Sequence, residues 1–159
     1  MTQIDPVARL IAIEEIKQLK ARYFRLMDSK QWGPLRDVFA DDAVFDARAS
    51  LSIDGNGESG RAAESNEWVY SGGDVIVDFI QAAIGTQRTV HHGHCHEIEI
   101  LSDTEARGVI AMEDQIWDET GATLTLHGMG HYHETYGKDA GAWRIVNSRI
   151  TRLHVILGE

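Results

Sequence analysis

The chain has 159 residues, a formal charge of −10 and a single cysteine, Cys95. One cysteine excludes an intramolecular disulfide scaffold. The acidity argues against nucleic acid or an anionic membrane surface as partner, since both are recognised through clustered Lys and Arg.

A hydrophobic share of 43% is ordinary for a globular chain. No apolar run approaches the roughly 20 residues of a membrane span, and nothing at the N-terminus reads as a signal peptide. These features predict one domain, residues 1–159, in the cytoplasm. Asp5 and Pro6 open a first helix, a capping residue followed by proline in the first turn. Apolar positions recur at helical spacing from Val7 through Ile16, Leu19 and Tyr23 to Met27, with Lys17, Lys20, Arg22 and Arg25 on the polar face. The helix is expected to end near Ser29. A shorter helix starts at Trp32 and buries Leu35, Val38 and Phe39; a short strand follows at 43–47. Residues 48–73 lose periodicity and are rich in glycine, which reads as a long loop of the kind that forms lids. A third helix spans 75–84.

After Gly85 the pattern changes to period two, with strands at 89–101, 106–118, 123–136 and 142–157 joined by short turns. Such short links demand antiparallel pairing. Helices first and strands after is an α+β order, with the helices covering one face of a curved sheet. Four of the eight histidines, His91, His92, His94 and His96, crowd the start of this sheet. Histidine changes charge near neutral pH and is also the commonest metal ligand, so a proton-transfer site and a metal cluster both compete with plain packing.

The element order, together with Leu19 to Phe24 plus Asp28, Asp37 to Ala43, Thr89 to His94, His127 to Tyr136 and Gly141 to Ile145, resembles the SnoaL-like family of the NTF2-like superfamily. The resemblance implies a cone-shaped α+β fold. It also implies a cofactor-independent enzyme of the scytalone dehydratase or bile-acid 7α-dehydratase type. By that likeness Tyr23, Asp28 and His91 fall on catalytic positions, Asp114 on a pocket carboxylate, and Arg149 near a basic residue of the last strand. The implied chemistry is a lyase eliminating water from a hydroxylated aromatic, polycyclic or steroid-like molecule. Carbon–carbon cleavage releasing formaldehyde from an aryl-propane diol, isomerisation and epoxide hydrolysis are alternatives, as are a non-catalytic ligand-binding protein and a metal-dependent enzyme. A homo-oligomer, dimer or trimer, is expected by the same likeness.

Read one by one, these residues sharpen the expectation. Tyr23 and Asp28 stand about 140° apart on one helix and flank a common face. His91 and His92 must point to opposite faces of a regular strand. Alternation back from Ile98 and Ile100 puts His92 inside, whereas the family likeness favours His91; a bulge, with Gly93 as a plausible site, would reconcile the two. Both are therefore candidate catalytic residues. A metal site could combine His94 or His96 with His131 or His133, although three alternating histidines on one strand span about 13 Å. Asp114 alternates with Ile110, Met112 and Ile116 and is expected inside, unlike Glu113. Gly128, Gly130 and Tyr132 share a face; Gly130 suggests close approach of a ligand or backbone, and Tyr132 a hydroxyl donor. Arg149 and Arg152 both lie on the last strand, Trp68 is placed to line a lid, and Cys95 reads as a small strand residue.

Overall fold

Asp5 caps the first helix as its position predicts, its carboxylate accepting from the Ala8 amide at 2.9 Å in the computed structural model, which describes residues 4–51 and 67–158. Helix α1 runs Pro6–Asp28 and is closed by Ser29, whose amide donates to the Arg25 carbonyl at 3.0 Å. Its buried stripe is Ala12, Ile16, Leu19, Lys20, Tyr23, Phe24 and Met27. Lys20 thus lies inside, with no exposed surface, and not on the polar face. The stripe explains why: Ile16, Lys20, Tyr23 and Met27 follow one another at steps of three and four.

Helix α2 is a single turn, Trp32–Arg36. Val38 and Phe39 are buried as expected but are not helical. Phe39 opens strand β1, Phe39–Asp46, longer than its apolar centre suggests. Strand β2, Val69–Ser71, falls inside the stretch read as loop, whose glycines Gly55, Gly57 and Gly60 lie outside the described residues. Helix α3, Gly73–Ile84, buries Ile76, Val77 and Ile80 and packs on β1.

Strands β3 (Arg88–Ile100), β4 (Glu105–Trp117), β5 (Leu124–Asp139) and β6 (Ala142–Leu157) form the antiparallel meander. The full sheet has the order β2-β1-β6-β5-β4-β3 and is mixed, because β1 runs parallel to β6. The helices cover one face of this curved, unclosed sheet. Between it and α1 lies the core, in which Tyr23, Phe24, Phe39, Ile110, Tyr132 and Ile145 meet. Among the described residues no helix is long and apolar enough to cross a membrane.

Three irregularities decide which side chains reach the interior. On β3 the register slips by one residue between His94 and Glu97, and Cys95 takes a left-handed φ of 51°. On β6 extra residues sit at Val146 and Leu153. Each bulge flips the parity of the strand beyond it.

Candidate active site

Thr89, His91 and Gly93 point inward before the bulge, and Ile98 and Ile100 after it. The slip at Cys95–His96, and not at Gly93, is what reconciles the two halves of β3. His91 is buried and His92 is exposed on the outer face. His92 therefore does not reach the interior, because alternation traced from Ile98 runs through the bulge. Gly93 has another use: a Cβ there would collide with the Phe24 ring. That ring stacks on the His91 imidazole at a centroid distance of 6.2 Å and 11° between planes.

Asp28, in the last turn of α1, holds His91 by two groups. Oδ1 faces the ring Nδ1 at 2.6 Å, and Oδ2 accepts the His91 amide at 2.8 Å. Thr89 donates its hydroxyl to the same Oδ1 at 2.8 Å. An ionised carboxylate only accepts, so Nδ1 carries the ring hydrogen that meets it, and in the neutral ring Nε2 is the bare lone pair. Nε2 lies 4.0 Å from Asp114 Oδ2.

His91 is one wall of a cavity of about 380 Å³ between α1, α3 and the sheet. Tyr23, Asp114, Tyr132, Arg152 and Trp68 line it too, and most of the remaining surface is apolar, from Met27, Phe45, Phe79, Ile116 and Ile150. Asp114, 3% exposed, grips Arg152, 4% exposed, through two hydrogen bonds of 2.9 and 2.7 Å. The Arg152 Nε donates to the Ser50 carbonyl at 2.8 Å. Gly128 makes room for this pair: a Cβ there would collide with Asp114 Oδ1 and stand 2.6 Å from an Arg152 nitrogen.

The Tyr23 and Tyr132 rings meet edge to face at 5.9 Å, and both side chains line the cavity. Burial pushes both hydroxyls well above the ordinary phenol range, so both remain protonated donors. Behind them, Lys20 Nζ lies 2.6 Å from Glu134 Oε1 and 3.4 Å from the Tyr132 ring centre. Glu134 also accepts from Tyr136 at 2.6 Å and Ser148 at 2.9 Å. Burial pushes the Lys20 ammonium below its ordinary range, and Glu134 opposes that shift.

The structure thus brings together Tyr23, Asp28, His91, Asp114, Tyr132 and Trp68, and it separates His92, Gly130 and Arg149 from them. The space beside the Gly130 Cα is filled by the Thr151 carbonyl, so this glycine serves close backbone packing and does not border the cavity. Arg149 is exposed on the outer face opposite His133. The bulge at Val146 explains it: Ile145 faces in, and the extra residue then hands the interior to Ser148, Ile150 and Arg152. Arg152 is the cavity's basic residue. Lys20 and Glu134 are not among the residues that the sequence points to, though Glu134 alternates between the inward Tyr132 and Tyr136. His133 Nε2 is paired with Thr151 Oγ1 at 3.0 Å, and among the described residues no three of His, Cys, Asp and Glu stand close enough to share a metal ion.

Comparison with known proteins places this chain in a family. The sequence profile of the SnoaL-like domain matches residues 8–149. Similar solved structures include a candidate scytalone dehydratase from Novosphingobium aromaticivorans, 17% identical over 92% of this chain and 87% of that chain, with a TM-score of 0.74. Another is a hexachlorocyclohexane dehydrochlorinase from Novosphingobium barchaimii, 16% identical over 96% and 94%, with a TM-score of 0.73. A third, from Mycobacterium tuberculosis and of unknown function, is 22% identical over 90% and 72%, with a TM-score of 0.69. At such identities the structural likeness shows the shared fold. The profile match runs from the first turns of α1 to the last strand, and by it the chain belongs to the SnoaL-like domain family.

Proposed function

We propose that this protein is a cofactor-independent lyase that eliminates water from a hydroxylated cyclic small molecule by general acid–base catalysis. The observation that carries the reading is the Asp28–His91 pair, whose bare Nε2 faces a largely apolar cavity. His91 takes a proton from the substrate carbon, and Asp28 stabilises the imidazolium that forms. Tyr23 and Tyr132 both line the cavity with their hydroxyls protonated, and a tyrosine hydroxyl donates to the substrate oxygen that gains charge. The imidazolium then returns its proton to the departing hydroxyl, which leaves as water and restores the bare Nε2. Water is kept from the reacting atoms by Met27, Phe45, Phe79 and Ile150.

Two of the similar folds carry names of elimination enzymes, one losing water and one losing hydrogen chloride. That supports an elimination here, since both leaving groups depart after the same proton abstraction. Cavity size supports a substrate of one or two rings: an apolar cavity of roughly 150 Å³ takes up a single benzene, and this one measures about 380 Å³.

The test is incubation of the purified protein with a panel of β-hydroxy cyclic ketones and hydroxylated aromatic compounds, read by mass spectrometry for loss of water. Turnover of a panel member that His91→Ala abolishes supports the reading. Saturable quenching of tryptophan fluorescence by panel members with no turnover of any would favour a ligand-binding protein.

A further inference from the structure

The turn that follows α1 carries an arrangement that the elimination chemistry leaves unused. Lys30 has a φ of 57°, a left-handed conformation in which glycine is the ordinary residue at a helix end. Its side chain is half-buried, and Nζ donates to Thr89 Oγ1 at 3.0 Å. Thr89, itself buried, donates to Asp28 Oδ1 at 2.8 Å.

Elementary chemistry fixes the direction of this chain. An ammonium has hydrogens only to give, so the Thr89 oxygen must accept from Lys30. Its one hydrogen then goes to Asp28. Oδ1 receives that hydroxyl and the His91 ring at the same time, so the two donors share the charge of one oxygen. Burial pushes the Lys30 ammonium below its ordinary range, and the nearby Asp28 carboxylate opposes that shift.

We propose that Lys30 and Thr89 are positioning residues for the Asp28–His91 pair: the Lys30 charge, passed on through the Thr89 hydroxyl, draws charge from Asp28 Oδ1 and makes His91 a weaker base than Asp28 alone would. The proposal rests on His91 being the base. Among the described residues, the other charged or titratable groups around the His91 ring are Tyr23 and Asp28 on α1, Asp114 on β4, Tyr132 on β5 and Arg152 on β6. Asp114 and Arg152 are spent on each other. Lys30 is the cation that reaches Asp28 through a hydrogen bond.

The experiment is an NMR titration of the His91 ring, assigned by the signal missing from His91→Gln. It is run on wild type, Lys30→Gly, Thr89→Val, Thr89→Ser and the double variant Lys30→Gly/Thr89→Val. Glycine suits the left-handed φ and removes the ammonium without touching the core. Lys30→Gly and Thr89→Val are each expected to raise the His91 midpoint by about half a pH unit or more. Thr89→Ser, which keeps the hydroxyl, is expected to titrate like wild type, and the double variant no higher than Thr89→Val. An unchanged midpoint in Lys30→Gly overturns the proposal, and this arm decides alone if Thr89→Val does not fold. An equal further shift from Lys30→Gly in the Thr89→Val background overturns the relay in favour of a field through space. No substrate is needed. A failed relay therefore leaves the lyase reading standing, and a protein without turnover still gives a readable titration.

Discussion

Asp28 holds His91 at both ring and backbone, Nδ1 at 2.6 Å and the amide at 2.8 Å, so one carboxylate sets both the tautomer of the imidazole and the position of the strand that carries it. The two roles can be separated. Asp28→Asn keeps an oxygen for the amide but offers an NH₂ group to the ring, which favours the tautomer with its hydrogen on Nε2. Turnover is expected to fall by on the order of 10²–10⁴ with little loss of stability. Steady-state kinetics beside a urea melt check this; equal losses in stability and rate would mean that Asp28 is chiefly structural.

Asp114 and Arg152 need the empty space at Gly128. In Gly128→Ala the new methyl group would collide with Asp114 Oδ1, so the buried pair must part or move. A buried charge left without its partner costs about 3–5 kcal/mol, and a loss approaching that range is expected in chemical denaturation. Arg149→Ala, on the outer face, is expected to leave ligand-induced quenching of tryptophan fluorescence unchanged, whereas Arg152→Ala abolishes it.

Lys20 and Glu134 form an ion pair with no exposed side-chain surface. Lys20→Met strands the Glu134 carboxylate and should cost about 3–5 kcal/mol. Lys20→Met/Glu134→Gln removes both charges and should recover most of that loss: the amide keeps one oxygen for Tyr136 or Ser148, which now donate to different carboxylate oxygens, and the other hydroxyl can accept from the new NH₂ group. A double variant no more stable than the single one would show that the pair contributes beyond mutual neutralisation.

Burial holds His96 and His133 below the ordinary histidine value of 6.5. The folded protein therefore binds fewer protons at these sites than the unfolded chain does, and stability rises with pH. Their contribution is present above 6.5 and is lost as pH falls through the depressed folded values. Urea melts at about pH 7.5 and about pH 5.5 are expected to show a steeper acid loss in wild type than in His96→Gln/His133→Gln. Identical pH slopes would contradict this.

The first and third helices, the meander and the inward set Tyr23, Asp114 and Tyr132 could be read from spacing, turn residues and the family pattern, because those signals are local or repeat regularly; between His91 and His92 alternation and family pattern disagree. Strand parity beyond the bulges could not. The extra residues at Cys95–His96 and Val146 follow from how β3 and β6 curve against their neighbours, and they decided against His92 and Arg149. Its charge assigns Lys20 to solvent, although its place on the Ile16–Met27 stripe marks it as buried. Gly130 did signal close approach, but by the backbone of β6 and not by a ligand.

The central claim, that His91 and not its neighbour is the base, is tested most directly by kcat/KM of His91→Ala and His92→Ala on a panel compound that the wild-type protein dehydrates. His91→Ala is predicted to lose on the order of 10²–10⁴ in rate while His92→Ala stays close to wild type. A large loss in His92→Ala with His91→Ala active would contradict the account.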